Sequence, residues 1–156
     1  MSLKQHEGPG LPVHPPVLYL AVLFVGIGLN CGWRIAPMPG HWGGIVGVTS
    51  IVLGTTIMPP VLSRFRRSGT PFDPHKPASA LITDGPYRFS RNPAYVALTL
   101  WYLGLGFLLN NGWVLLLALP LVLVMDRWAI RREEQHLEAR FGEQYHRYKS
   151  TVRRWL

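Results

Sequence analysis

Gly85-Pro86-Tyr87-Arg88-Phe89-Ser90-Arg91-Asn92-Pro93-Ala94-Tyr95 joins a proline-rich polar connection to a long apolar segment. Its arginines, asparagine and prolines are too costly to leave in hydrocarbon and too specialised for a plain linker, so it reads as a hinge at a membrane surface. The residues before it read as a membrane anchor and then a basic connection. Those after it read as a helical hairpin that returns to a charged tail.

Working outward, 48% of the 156 residues are apolar and only 15% are charged, and the apolar residues are bunched into blocks rather than spread by a helix or strand period. That distribution predicts one all-α integral membrane domain with four transmembrane helices. Residues 1–16 form an irregular tail, because Pro9, Pro12, Pro15 and Pro16 interrupt any helix. Residues 17–62 are a two-span anchor with blocks at 17–33 and 42–62, the second ended or kinked by Pro59-Pro60. Residues 63–92 are a basic, mostly non-helical cytoplasmic connection, and 93–125 a hairpin of blocks 93–109 and 113–125 turning at Asn110-Asn111-Gly112. Pro93 suits the first turn of a helix, and Pro120 predicts a bend. The remainder, 126–156, is an amphipathic C-terminal helix: Ile130, Glu134, Leu137, Phe141, Tyr145, Tyr148 and Val152 recur at spacings of three and four on one face, with Gly142 a dent in the middle.

Sixteen Lys and Arg against eight Asp and Glu give a formal charge of +8, which raises a nucleic-acid partner. The basic residues instead fall between and after the hydrophobic blocks, which suits an anionic bilayer surface and argues against nucleic acid. Six lie in the connection 63–92 and eight from Arg127 onward, whereas the first short loop holds only Arg34 and the hairpin turn none. The positive-inside rule then puts both termini and the connection on the cytoplasmic side. Hinge and tail can meet there.

Glu134 is the sharpest clue to chemistry, because it sits on the apolar stripe of the tail while Glu133 falls off it. A carboxylate there needs a cation or donor, either Arg88 or Arg91 or a positively charged ligand group. Tyr87, Asn92 and Tyr95 bring hydroxyls and an amide to the mouth of the third span, although tyrosines there also serve as interfacial anchors. Gly104 and Gly106 permit close backbone approach, by a ligand or by another helix. The six histidines form no close i, i+4 pair and Cys31 is the only cysteine, so no metal site is expected. Ser90 has no nearby histidine in sequence, which argues against a serine hydrolase.

The residues 83–95, Gly104-Leu105-Gly106, Arg132-Glu133-Glu134-Gln135-His136-Leu137, the run Phe141 to Tyr148 and Val152-Arg153-Arg154, in that order, resemble the isoprenylcysteine carboxyl methyltransferase family, related to the membrane phospholipid N-methyltransferases. The likeness covers about half of the chain, residues 69–155, and Arg67 to Thr70 with Pro74 to Pro77 resembles bacterial-type members, implying a bacterial inner membrane. It implies a methyltransferase that uses S-adenosyl-L-methionine, held between hinge and tail, and a hydrophobic or small membrane-partitioning acceptor. Tyr87, Asn92, Pro93 and Tyr95 would shape the cofactor pocket, Gly104 and Gly106 would make room for the cofactor, and Glu134, assisted by Glu133, would contact its ammonium. Arg91, Asn92 and Tyr95 would stand nearest the chemistry, while Arg131, Tyr145 or Arg153 would order the tail or meet the substrate. Eukaryotic-type members carry a histidine where this chain has Asn92, and an amide is no titrating base. A phospholipid amine, a small thiol, or a non-catalytic role in membrane assembly or carriage therefore stay open beside a carboxyl acceptor.

Overall fold

The structure, a computed structural model, describes residues 13–37, 41–72 and 78–156. The irregular tail expected up to residue 12, the turn at 38–40 and the part of the basic connection at 73–77 lie outside those residues. The described chain is all-α: α1 (Pro15–Gly32), α2 (Trp42–Ser68), a 3-10 turn (Gly85–Arg88), α3 (Pro93–Leu108), α4 (Gly112–Val124), a π-helical segment (Met125–Ile130), α5 (Arg131–Phe141) and α6 (Glu143–Thr151).

Three helical paths are long and apolar enough to cross a bilayer: Pro15–Gly32, Trp42–Ser68 and Gly112–Phe141, the last running through α4, the π-helical segment and α5. The third apolar block gives a helix of only 16 residues, about 24 Å of rise against about 30 Å of hydrocarbon. The expected four full-length spans are thus three long apolar helices and one short one.

Two expected helix ends also move. Pro59 and Pro60 do not stop α2, which continues to Ser68 and closes on Gly69 in the left-handed region at φ 64°. Prolines delete local N–H groups, but the turn beyond them is held by packing: Val61 is fully buried with Ile57 and Phe65 against Tyr87, Tyr145 and Tyr148. In the tail, the single helix expected over 126–156 is instead continuous with α4 through Asp126 and breaks at Gly142, whose φ of 50° and ψ of −121° suit only glycine. The apolar stripe survives that break, for Ile130, Glu134, Tyr145 and Tyr148 are all buried.

Small residues and a few polar ties set the helix order. α3 lies against α2 and α4, and α1 against α4. A Cβ on Gly104 would stand 2.6 Å from Ile51 and 2.9 Å from the Gly47 carbonyl, so α2 and α3 meet backbone to backbone. At the far end, Gly112 N–H donates to the Ile35 carbonyl at 2.7 Å and Trp113 Nε1 to the Trp33 carbonyl at 2.6 Å. Buried Asn111 caps α4 by accepting from Val114 N–H and donates to the Gly26 carbonyl. These bonds tie the start of α4 to the end of α1.

Candidate active site

The other end of the helices is where hinge and tail meet. Pro93 opens α3 in its first turn and Pro86 opens the 3-10 turn, so Tyr87 to Asn92 pass across the head of α3. The C-terminal residues run beneath them: Arg91 N–H donates to the Arg153 carbonyl at 2.9 Å, Ser90 Oγ and Asn92 Nδ2 donate to the Arg154 carbonyl, and Tyr148 OH donates to the Tyr87 carbonyl at 2.8 Å.

Between them lies a cavity of about 330 Å³, in the range that takes a drug-sized ligand. Its polar lining includes Tyr87, Arg91, Asn92, Tyr95, Glu133, Glu134, His136, Tyr145 and Tyr148, with His14 and Thr70 at other parts of the wall, and its apolar lining includes Met58, Phe65, Phe72, Leu81, Leu98 and Leu137. Of the residues singled out in the sequence, Tyr87, Arg91, Asn92, Tyr95, Glu133, Glu134 and Tyr145 come together here. Pro93, Gly104, Gly106, Arg131 and Arg153 are absent from the lining. Gly104 is spent on α2, Gly106 faces Val114 and Leu115 of α4, and Pro93 shapes the helix start.

The adjacent glutamates differ in their bonding. Glu134 is saturated: Arg91 Nη2 donates to Oε1 at 2.8 Å, Arg154 Nε to Oε1 at 3.2 Å and Arg154 Nη2 to Oε2 at 2.7 Å. Arg154 also reaches both oxygens of Asp126, to which Trp155 Nε1 donates at 2.9 Å. The partnership expected of Glu134 with Arg91 therefore exists, inside a network of two cations and two anions. Glu133 receives one bond, from Tyr95 OH to Oε1 at 2.7 Å, and no described group donates to Oε2. It stands beyond Asp126 and Arg127, which end the apolar part of its helix. Burial pushes its carboxyl up to about 7, opposed by the Tyr95 bond and reinforced by the Glu134 charge. Burial likewise raises the Tyr87 and Tyr145 phenols, so both remain neutral donors at physiological pH.

Two further donors are unspent. Arg91 Nε and His136 Nε2 are buried and have no hydrogen-bond partner among the described residues. Burial, with Arg140 nearby, pushes the His136 imidazole below its ordinary range and keeps it neutral. His136 forms no i, i+4 metal pair, so the histidine pattern does not mark it. Its place three residues after Glu133, on the same helical face, was the available signal. Arg154 and Trp155 carry no such signal, since the segment after α6 brings them to Asp126 of the π-helical segment from 28 and 29 residues away.

Such a site matches a zwitterion carrying an extra positive charge: a part-open carboxylate and tyrosine faces for cations, and unspent N–H groups for an anion. The profile of the phospholipid methyltransferase family matches residues 42–144, and the chain belongs to that family. It is an S-adenosylmethionine-methyltransferase-like, multi-pass membrane protein. It is 39% identical over 72 residues to the protein-S-isoprenylcysteine O-methyltransferase of Schizosaccharomyces pombe, covering 46% of this chain and 30% of that one. It is 28% identical over 143 residues to protein-S-isoprenylcysteine O-methyltransferase B of Arabidopsis thaliana, covering 86% of this chain and 65% of that one. An uncharacterized protein of Haemophilus influenzae is 42% identical over 62 residues, 40% of this chain and 98% of its own length. The matches thus span less than two thirds of the two methyltransferases. No solved structure gives a significant match.

Proposed function

We propose that the protein is an S-adenosylmethionine-dependent methyltransferase that acts, at the membrane, on a hydrophobic or small membrane-partitioning acceptor. The observation that carries this reading is Glu133: a carboxylate held at one oxygen by Tyr95, with no donor to the other among the described residues, in the wall of a cavity with a large apolar lining. When bound, the cofactor supplies a methyl group already activated by its sulfonium.

The chain's own residues then bind, orient and exclude water. Glu133 receives the ammonium group, with the Tyr87 and Tyr95 rings beside it. Arg91 Nε and His136 Nε2 are the unspent donors for the cofactor's carboxylate or hydroxyls. Glu134 holds Arg91 in place, and Asn92 anchors the C-terminal segment through its bond to the Arg154 carbonyl. Methyl transfer needs an in-line arrangement more than a proton acceptor, so an amide at 92 is compatible with an acceptor that arrives ionised. The yeast and Arabidopsis relatives are named for an isoprenylcysteine O-methyl product, and a carboxylate acceptor of that kind fits this logic. The apolar lining from Met58, Phe65 and Leu98 suits its hydrocarbon part.

The topology belongs to the same proposal. α4 begins beside the α1 end, through Gly112 and Ile35, while α3 begins beside the tail, through Arg91 and Glu134. α3 therefore makes a fourth, short crossing, and the basic hinge and tail face the cytoplasm.

Calorimetric titration of the purified protein with S-adenosylmethionine tests the reading, followed by transfer of labelled methyl to prenylcysteine, phosphatidylethanolamine and alkyl-thiol acceptors. Saturable binding that Glu133→Gln weakens is expected. A well-folded wild type without saturable binding would sink the proposal.

A further inference from the structure

A second concavity lies along α2 and shares only Met58 with the lining of the first. It is a groove of about 500 Å³ lined by Thr55, Met58, Pro59, Leu62, Ser63, Arg66, Arg67 and Trp101. One wall exists because residue 54 is glycine. A Cβ there would come within 2.7 Å of Trp101 Cδ1 and 2.8 Å of its Nε1, so the pyrrole edge of the indole approaches α2 closely, held by Nε1 donating to Thr55 Oγ1 at 3.1 Å. Pro59 contributes a ring and no N–H, and Leu62 and Met58 complete an apolar floor. Arg66 and Arg67, in the last turn of α2, are exposed and have no acidic partner among the described residues.

Twelve residues separate Thr55 from Arg67, about 18 Å of helical rise, close to the roughly 15 Å depth of one hydrocarbon leaflet. The groove is therefore apolar over a leaflet's depth and doubly cationic at headgroup level. We propose that it is a binding site for one anionic phospholipid, its phosphate on Arg66 and Arg67 and an acyl chain along Leu62, Met58 and Trp101. Two guanidiniums with no acidic partner among the described residues favour a headgroup with net negative charge over a zwitterionic one. Arginines at a helix C-terminus also complement the backbone dipole, but that role needs no apolar floor and no indole docked on the same helix. The site does not depend on methyl transfer. Met58 also lines the first cavity, so the bound lipid would border the reaction site.

The test is native mass spectrometry of the full chain released from nanodiscs that contain equal phosphatidylglycerol and phosphatidylcholine. The wild type is expected to retain phosphatidylglycerol over phosphatidylcholine by on the order of tenfold, the scale of one charge-assisted contact. Arg66→Gln with Arg67→Gln should bring the two lipids to parity. Leu62→Trp, which fills the floor and leaves the charge unchanged, should remove the retained lipid. Pro59→Trp fills the same groove from an exposed position and serves if Leu62→Trp misfolds, with circular dichroism checking each variant. Wild-type-like preference in a folded groove-filled variant would reduce the effect to diffuse surface charge and overturn the proposal. Displacement by equimolar glycerol phosphate would make the site one for soluble phosphate and overturn it equally.

Discussion

Glu133 and Glu134 are neighbours on one helix, yet only Glu133 has an oxygen without a donor among the described residues. Glu134 spends both oxygens on Arg91 and Arg154, while Glu133 holds one tyrosine. Glu133→Gln is expected to weaken S-adenosylmethionine binding by about 1–3 kcal/mol, the size of a charge-assisted contact, with the unfolding midpoint little changed. Its raised proton affinity fixes the sign of two pH effects. The stability it contributes is present below the ordinary carboxyl range and is lost as pH rises through about 7. Binding of a cation runs the other way, so affinity should fall below about 7, approaching tenfold per pH unit. Titrating Glu133→Gln across the same range subtracts the cofactor's own ionisation, and an unchanged slope would remove Glu133 from the site. Arg91→Met tests the other half of the pair. It leaves the buried Glu134 still paired with Arg154 and is expected to cost about 1.5–3 kcal/mol in chemical unfolding, the size of a hydrogen bond to a charged group. The stripe of the tail made Glu134 visible in the sequence, because burial of a carboxylate on an apolar face is a periodic signal. Glu133 was less visible as a ligand group, since its partner Tyr95 is 38 residues away and no local rule couples them.

Elements were legible where local composition decides them and obscure where distant packing does. Hydropathy places every long apolar helix, and the Asn111 cap with its glycine marks the α3–α4 turn. The run of α2 through Pro59-Pro60 was not legible, because the local loss of two N–H groups is outweighed by Val61 packing against tyrosines far along the chain. Gly104 illustrates the ambiguity of small residues in a span, which can admit a ligand or a helix. Its hypothetical Cβ meets Ile51 and the Gly47 carbonyl, so Gly104→Ala should destabilise the protein by about 1–3 kcal/mol through overpacking. Cofactor affinity measured under folding conditions should stay within about twofold of wild type, well under one 1.4 kcal/mol step. A selective loss of affinity would return Gly104 to the cofactor pocket. At Gly142 backbone strain matters rather than space, since a Cβ there meets nothing within 4 Å. Gly142→Ala is expected to cost about 1–3 kcal/mol for its φ of 50° alone, read as a fall in the unfolding midpoint.

At the scale of the whole molecule, the charge count and the hydrogen bonds constrain the topology independently. Arg91 and Glu134 bind hinge to tail at one end of the helices, and Gly112 and Ile35 bind the two short connections at the other. If α3 stayed on one side, α4 would carry the tail to the face opposite the hinge and every bond between Arg91 and residues 134–153 would be impossible. A crossing of about 24 Å is short for the bilayer, and local thinning over a few ångströms costs only fractions of a kcal/mol per Å. The proposed short crossing places the network from Arg91 through Arg154 to Asp126 on a single side of the bilayer. Single cysteines report this directly once Cys31 is replaced by serine. Ala36 lies exposed after α1 and Ser150 lies exposed on α6, on opposite faces of the bilayer in this arrangement. A membrane-impermeant maleimide applied to intact spheroplasts should label Ala36→Cys at once and Ser150→Cys only after lysis. Labelling of both from outside would mean three crossings and would contradict the hinge–tail contacts, and the reverse pattern would invert the orientation while leaving the fold intact.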